Sequence, residues 1–189
     1  MLFATRPLFA FLLVGSAFYL YSTMSAATRP VPPTLEVRVK SPFIPPSFSP
    51  PIAVTVQVSV HNNAKSSVTL LNWGSPLDPK ANVLGVFEFR DIHTEETVTL
   101  NTIKFARKLP PSKEDFVEIP AGDIVDAEVT IPLVPLVEGH RYTIQAKGWW
   151  QAVWEWPLHD IADHDLETMA GPSVQRGEFE SEIVPIEVE

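Results

Sequence analysis

The sequence predicts an all-β fold, an antiparallel β-sandwich of roughly seven to nine short strands. Apolar and polar residues alternate along several short segments, as they do in a strand with one buried face. Nineteen prolines and several glycine turns separate these segments, and proline cannot donate to a sheet ladder. Helical periodicity is weak, so at most one short helix is predicted, near residues 158–169.

The most regular of these segments predicts a hairpin. Apolar residues occupy every second position of Val54–Asn62, so valines line one face and polar side chains the other. The turn formers of Asn63–Ser66 follow, Val68–Leu71 returns, and Asn72–Asp78 then breaks the sheet. This pattern predicts two paired antiparallel strands.

The other predicted strands show similar alternation between turn residues. They span residues 34–40, 83–92, 97–100, 116–119, 124–131, 140–149 and 178–188, the last of them interrupted by proline. His93–Glu96 predicts a turn that pairs the second of these strands with the third, and Ala121–Asp123 predicts another turn. The proline-rich residues 42–51 predict a long loop that crosses from the first strand to Val54.

The N-terminal segment has the parts of a secretory signal peptide. Arg6 is positively charged, the 14 residues of Leu8–Tyr21 are mostly apolar, and small residues lead up to Ala27. We predict a signal peptide over residues 1–27, a linker over 28–33 and a single β-sandwich domain over 34–189, hence a secreted, extracellular protein. The alternative is an uncleaved membrane anchor, because residues 7–27 approach the length that spans a bilayer.

Charge and cysteine content exclude several classes of function. Cleavage after residue 27 removes one of the 14 basic residues and none of the 23 acidic ones, which leaves 13 against 23 and a formal net charge of −10. Nucleic acids and anionic membranes require basic surfaces, so neither is a predicted partner. Cysteine is absent from the sequence, which excludes disulfides, thiolate catalysis and sulfur-ligated zinc.

A series of short motifs runs through the middle of the chain. The motifs are Val60–Asn63, Leu70–Asp78, Gly85–Phe87, Phe105–Pro111, Asp115–Val117 and Pro120–Gly122. In order and spacing they resemble the propeptide domain of fungal deuterolysin-type zinc metalloendopeptidases, over roughly Leu35–Ala146. The resemblance implies an immunoglobulin-like sandwich that, in the family, precedes and accompanies a secreted protease.

The zinc-binding motif of such a protease does not occur in this sequence. A His-Glu-x-x-His helix would supply two zinc ligands and a general base, but none of the five histidines is followed by glutamate. The chain therefore resembles a free-standing relative of the propeptide module. We predict that it is not an enzyme and that it needs no cofactor.

Five tryptophans are the candidate binding residues: Trp73, Trp149, Trp150, Trp154 and Trp156. Trp73 lies in the turn that breaks the sheet, and we expect it to cover one end of the sandwich. The other four fall within eight residues. Buried, they would close the open end of the sandwich; exposed, they would anchor a partner or stack on a sugar ring.

Charged residues provide weaker candidates. On a helix, His159 with Asp163 and Asp160 with His164 would be i,i+4 pairs able to share a metal, which makes His159, Asp163 and His164 weak candidates. Acidic loops usually stay solvated, so no metal site is predicted. The segment from Glu155 to the end contains ten acidic residues and only one basic residue, and this excess predicts an electrostatic docking surface. The adjacent Arg107–Lys108 predicts a solvated strand edge, or else a dibasic processing site or a contact for an acidic partner.

Two classes of function remain from the sequence alone. The leading hypothesis is a secreted, non-enzymatic β-sandwich that binds another protein, with a secreted metalloprotease as the partner that the resemblance implies and inhibition or chaperoning as the role. The alternative is a carbohydrate- or cell-surface-binding module that uses the Trp149–Trp156 cluster. A hydrolase built on His159–Glu167 is the least favoured. The sequence does not predict an oligomeric state.

Overall fold

A computed structural model of the chain describes residues 34–188. The predicted signal peptide, its anchor alternative, the predicted linker and Glu189 lie outside the described residues. Within residues 34–188, no helix is long and apolar enough to span a bilayer.

The described residues form eleven strands and one short α-helix, which confirms the predicted all-β class. Three strands are only two residues long, which accounts for the difference from the predicted number. The strands are β1 Leu35–Lys40, β2 Phe43–Ile44, β3 Ile52–Asn62, β4 Val68–Leu71, β5 Phe87–Asp91, β6 Phe116–Ile119, β7 Ile124–Val134, β8 Tyr142–Trp154, β9 Gln175–Glu180, β10 Val184–Pro185 and β11 Glu187–Val188. The helix α1 is Asp163–Thr168, and Lys113–Asp115 and Leu158–Asp160 form 3-10 turns.

Two antiparallel sheets form the layers of the sandwich. The first has the order β1-β3-β7, with β3 in the middle. In the second, β8 is central: β9 and β10 pair along one edge, and β4 and β5 pair along the other, with β6 beyond β4. β4 and β5 pair with successive parts of the same edge of β8. Residues 72–86 connect these two strands and interrupt the pairing along that edge.

The main core lies between the two sheets. Alternate valines of β3, from Val54 to Val60, are at most 1% exposed and face Phe89 and Ile144 of the second sheet across this core. A second, smaller core lies at one end, where the 158–169 region covers Trp154 and Leu71. The fold therefore buries both faces of the β4–β8 end of the second sheet.

The predicted hairpin of Val54–Asn62 with Val68–Leu71 is wrong, because the two strands lie in different sheets. The chain crosses between the layers at the turn after β3. The buried Asn62 side chain holds this turn: its Nδ2 donates to the carbonyl oxygens of Ser66 and Ile119, each at 2.8 Å. All four residues of β4 are buried, so this strand has two covered faces and no alternation that could specify its partner.

The predicted loop over residues 42–51 is present, apart from the two residues of β2, but it does not cross to another part of the fold. β1 and β3 pair directly, from Leu35 opposite Asn62 to Lys40 opposite Gln57. The loop therefore returns the chain to a neighbouring strand of the same sheet, and its β2 segment pairs in parallel with β11.

Most other predicted elements are confirmed, with shifted ends. β6 has the predicted bounds, and the short helix α1 lies inside the predicted region. β8 extends five residues further than predicted, to Trp154, so most of the tryptophan cluster belongs to a strand. The predicted strand over residues 97–100 is reduced to a single bridge, Arg90 with Thr97.

Candidate functional site

The five candidate tryptophans divide into three interior and two surface residues. Trp150 and Trp154 are 2% and 0% exposed, and Trp73 is 9% exposed. Trp149 and Trp156 are 43% and 52% exposed. Of the five, only the last two present large ring surfaces to solvent, and they lie on different elements, β8 and the loop that follows it.

Trp73 helps to close the smaller core, as the sequence predicts. It packs there with Phe116 and Trp154, and its indole Nε1 donates to Asp115 Oδ1 at 2.8 Å. Burial alone would raise the pKa of Asp115, but hydrogen bonds from Trp73 and Ser112 hold that pKa below its ordinary value. Asp115 is therefore ionised at neutral pH and anchors the indole.

Trp149 stands on a face that we call the β8–β9 face, formed by Lys147, Trp149, Glu178 and Glu180. The strand register places Trp149 opposite Glu178 and Lys147 opposite Glu180. These four residues are exposed and line a shallow groove of about 630 Å³, together with Gly148 and Phe179. Lys147 Nζ also lies 2.5 Å from Glu88 Oε2 of β5, so its charge is partly neutralised. An aromatic ring flanked by charged hydrogen-bonding groups suits a polar ligand with an apolar face.

A second surface is the 101–110 segment, residues 101–110, which belong to no helix or strand. It exposes three large apolar side chains: Ile103 at 52%, Phe105 at 48% and Leu109 at 63%. Arg107 ties the segment down, because its guanidinium pairs with the fully buried carboxylate of Asp78. A bound Arg107 makes a dibasic processing site less accessible, although Lys108 is exposed.

The structure does not bring the predicted metal candidates together as a group of three ligands. Among the residues described, the groups of three or more potential ligands do not include His159, Asp163 or His164. His159 is an exposed residue whose Nε2 lies 3.5 Å from Asp160 Oδ1. The acidic C-terminal segment is not a free tail, because β9 and β10 pair with β8.

A different cluster, which sequence analysis missed, lies at the end of β5. One potential ligand atom from each of Asp91, His93 and His140 lies within 4.8 Å of the other two. His140 Nδ1 is 2.6 Å from Asp91 Oδ2, and the ring centroids of His93 and His140 are 4.7 Å apart. His140 is 49 residues away from Asp91 in sequence, so no local spacing could have indicated the cluster.

The start of β8 carries a local hydrogen bond from the preceding turn. The hydroxyl of Tyr142 accepts a hydrogen bond from the backbone N–H of Val137, five residues upstream, at 2.6 Å. This tyrosine corner is a hallmark of immunoglobulin-like sandwiches. Burial raises the pKa of Tyr142, which keeps the hydroxyl neutral.

Comparison with known proteins agrees with this architecture. A family model described as an immunoglobulin-like domain matches residues 44–188. An uncharacterized secreted protein of Arthroderma benhamiae is 38% identical over 180 residues, which cover 94% of this chain and 89% of that protein. The chain therefore belongs to the immunoglobulin-like domain family, and the predicted secreted localisation is confirmed.

Proposed function

We propose that this secreted member of the immunoglobulin-like domain family is a non-enzymatic module that binds another protein through the 101–110 segment. The observation that carries the proposal is the exposure of Ile103, Phe105 and Leu109 on one short irregular stretch. Clustered apolar side chains on a secreted protein are costly to leave in water and usually mark an interaction surface.

The anchoring of the segment supports this role. The Arg107 guanidinium lies 4.9 Å from the ring centroid of Phe105 and 5.7 Å from that of Trp73, in addition to its pairing with Asp78. A segment that is already ordered loses less conformational entropy when a partner binds. The exposed apolar side chains of this anchored segment can therefore bind a partner at a lower entropic cost.

We propose a secreted zinc metalloendopeptidase of the deuterolysin type as the partner. The motif Phe105–Pro111, through which the sequence resembles a deuterolysin propeptide, overlaps the exposed segment. A propeptide acts by covering its own enzyme, so a detached relative would act on a separate protease molecule, as an inhibitor or a chaperone.

The test is inhibition of a purified deuterolysin-type protease by the secreted protein, followed through hydrolysis of a peptide substrate. We expect inhibition that saturates with concentration, and a complex that elutes as one peak in gel filtration. Leu109→Asp places a charge in the interface and should weaken the inhibition by at least about tenfold, because burial of an unpaired charge is costly.

Ile183→Asp is the matched control. Ile183 has the same exposed fraction as Leu109, 63%, but lies outside the 101–110 segment. It should inhibit like the unmodified protein. Equal losses in the two variants, or no complex at all, would contradict the proposal.

Carbohydrate binding is the second candidate, and the exposed ring of Trp149 favours it. The ring borders the groove of the β8–β9 face, where Glu178 and Glu180 offer acceptors for sugar hydroxyls. We expect retention on insoluble glucan or chitin if this surface binds sugar.

Trp149→Ala should then abolish retention, whereas Trp156→Ala should leave it intact. Trp156 is similarly exposed but is not among the residues that line the groove. Retention that depends on neither ring would argue against this candidate.

A further inference from the structure

We propose that Asp91, His93 and His140 form a binding site for a divalent transition-metal ion, with Zn²⁺ as the best match. A carboxylate and two imidazoles are a ligand set that zinc accepts, and calcium and magnesium prefer oxygen ligands alone. Three protein ligands would leave at least one coordination position for water. The site is independent of the 101–110 segment and of the β8–β9 face.

Sheet pairing places the three residues next to each other. Asp91 is the last residue of β5 and lies opposite Tyr142 at the start of β8. Just beyond, Ile92 N donates to Arg141 O at 2.8 Å, and Arg141 N donates to His93 Nδ1 at 3.2 Å. The backbone positions of both histidines are thus set by the ladder.

The potential ligand atoms of the three residues already lie near one another, since one atom from each is within 4.8 Å of the other two. Asp91 Oδ2 lies 2.6 Å from His140 Nδ1, and Asp91 Oδ1 lies 3.8 Å from His93 Nδ1. Ligand atoms bonded to a tetrahedral zinc at about 2.0–2.1 Å are about 3.3 Å apart. The side chains would adjust on binding, and the ion would replace the proton between Asp91 and His140 and the hydrogen bond from Arg141 N to His93 Nδ1.

The electrostatics of the site favour a cation. The Asp91 side chain is only 10% exposed. Its Oδ1 accepts a hydrogen bond from the backbone N–H of His93 at 2.7 Å, and its Oδ2 lies 2.6 Å from His140 Nδ1. A nearly buried carboxylate is best neutralised by a positive charge in direct contact.

The site is also open to solvent. The side chains of His93 and His140 are 48% and 31% exposed. An ion could therefore enter without any rearrangement of the sheets. Three features distinguish this cluster from the scattered surface histidines. Its backbone is fixed by sheet pairing, its carboxylate is nearly buried, and its imidazole rings are accessible to solvent.

The test is equilibrium dialysis of the secreted protein against ZnCl₂, with bound zinc measured by atomic emission. We expect one zinc per chain, and a visible absorption band when Co²⁺ replaces it. His93→Ala should weaken zinc binding by at least about tenfold, since even partners that only orient a ligand contribute that much.

His93 is the residue to replace because its ring is half-exposed, whereas loss of His140 would leave the Asp91 carboxylate without its closest partner. Thermal unfolding without metal checks that the variant is folded, and His93→Gln repeats the test if it is not. His164→Ala, on the exposed side of α1, should bind zinc normally. No bound zinc above the buffer level, or the same affinity after His93 is replaced, would overturn the proposal.

Discussion

At the scale of single residues, the ion pair of a buried carboxylate with an arginine joins two loops. The Asp78 side chain is 0% exposed and accepts backbone hydrogen bonds from Gly74 at 2.7 Å and Lys80 at 2.8 Å. Its positive partner is Arg107, from the 101–110 segment. Arg107 thus compensates a carboxyl group that the fold has removed from water.

We predict that Arg107→Gln lowers the free energy of unfolding by about 3 kcal/mol, because it leaves the Asp78 carboxylate buried without a cation. Urea denaturation followed by tryptophan fluorescence measures this. Lys108→Gln removes a neighbouring exposed charge and should change the free energy by no more than about 0.5 kcal/mol. Similar losses in both variants would show that the Asp78–Arg107 pair has no special role.

At the scale of elements, the pairing of β8 with β9 depends on one glycine. Gly148 lies opposite Phe179, and a Cβ atom at position 148 would stand 2.7 Å from the tip of the Phe179 ring. The ring has little freedom to move away, because it is buried and packs on Trp150 with 4.6 Å between the ring centroids. The absence of a side chain at position 148 therefore lets the aromatic ring cover the strand.

Gly148→Ala should destabilise the protein by about 1–3 kcal/mol, which is the usual cost of overpacking a core. Thermal or urea unfolding measures the loss. Phe179→Leu shortens the opposing side chain, so the double variant should lose less stability than the sum of the two single variants. Strict additivity of the two losses would rule out the predicted clash.

At the scale of the whole molecule, acidic groups dominate. The full chain has a formal net charge of −9. Among residues 34–188, three carboxyl groups have pKa values below their ordinary range: Glu36, at about 2 because Arg38 and Asn63 donate to it, together with Asp91 and Asp115. Each of them is stabilised in its ionised form by the folded structure.

Stability should therefore fall in acid. Between the folded and the unfolded pKa of each group, the unfolded chain binds more protons, so the free energy of unfolding decreases as the pH falls. The contribution is complete above about pH 4.5 and is lost as the pH falls through the lowered values. Urea midpoints measured from about pH 5 to about pH 2 should decline, and Asp115→Asn should make the decline shallower. A flat profile would contradict the lowered pKa values.

Local patterns were sufficient for the class of fold and for many individual strands. The alternating valines of β3 and the proline that ends β6 act within a few residues, and both are visible in the printed sequence. Cysteine-free composition and the apolar N-terminal run likewise needed no coordinates. Such features depend on the side-chain period of an extended chain and on backbone chemistry, which are the same wherever the strand is placed.

Strand partners and the candidate sites were decided by packing between distant parts of the chain. Alternation shows which face of β3 is buried but not which strand lies beside it, so β4 was assigned to the wrong neighbour. Alternation also does not show what covers the outer side of a strand. Trp154 is buried because the 158–169 region packs over it. The contact between Asp91 and His140 exists only because β5 pairs with β8, a long-range hydrogen-bond ladder that no short stretch of sequence encodes.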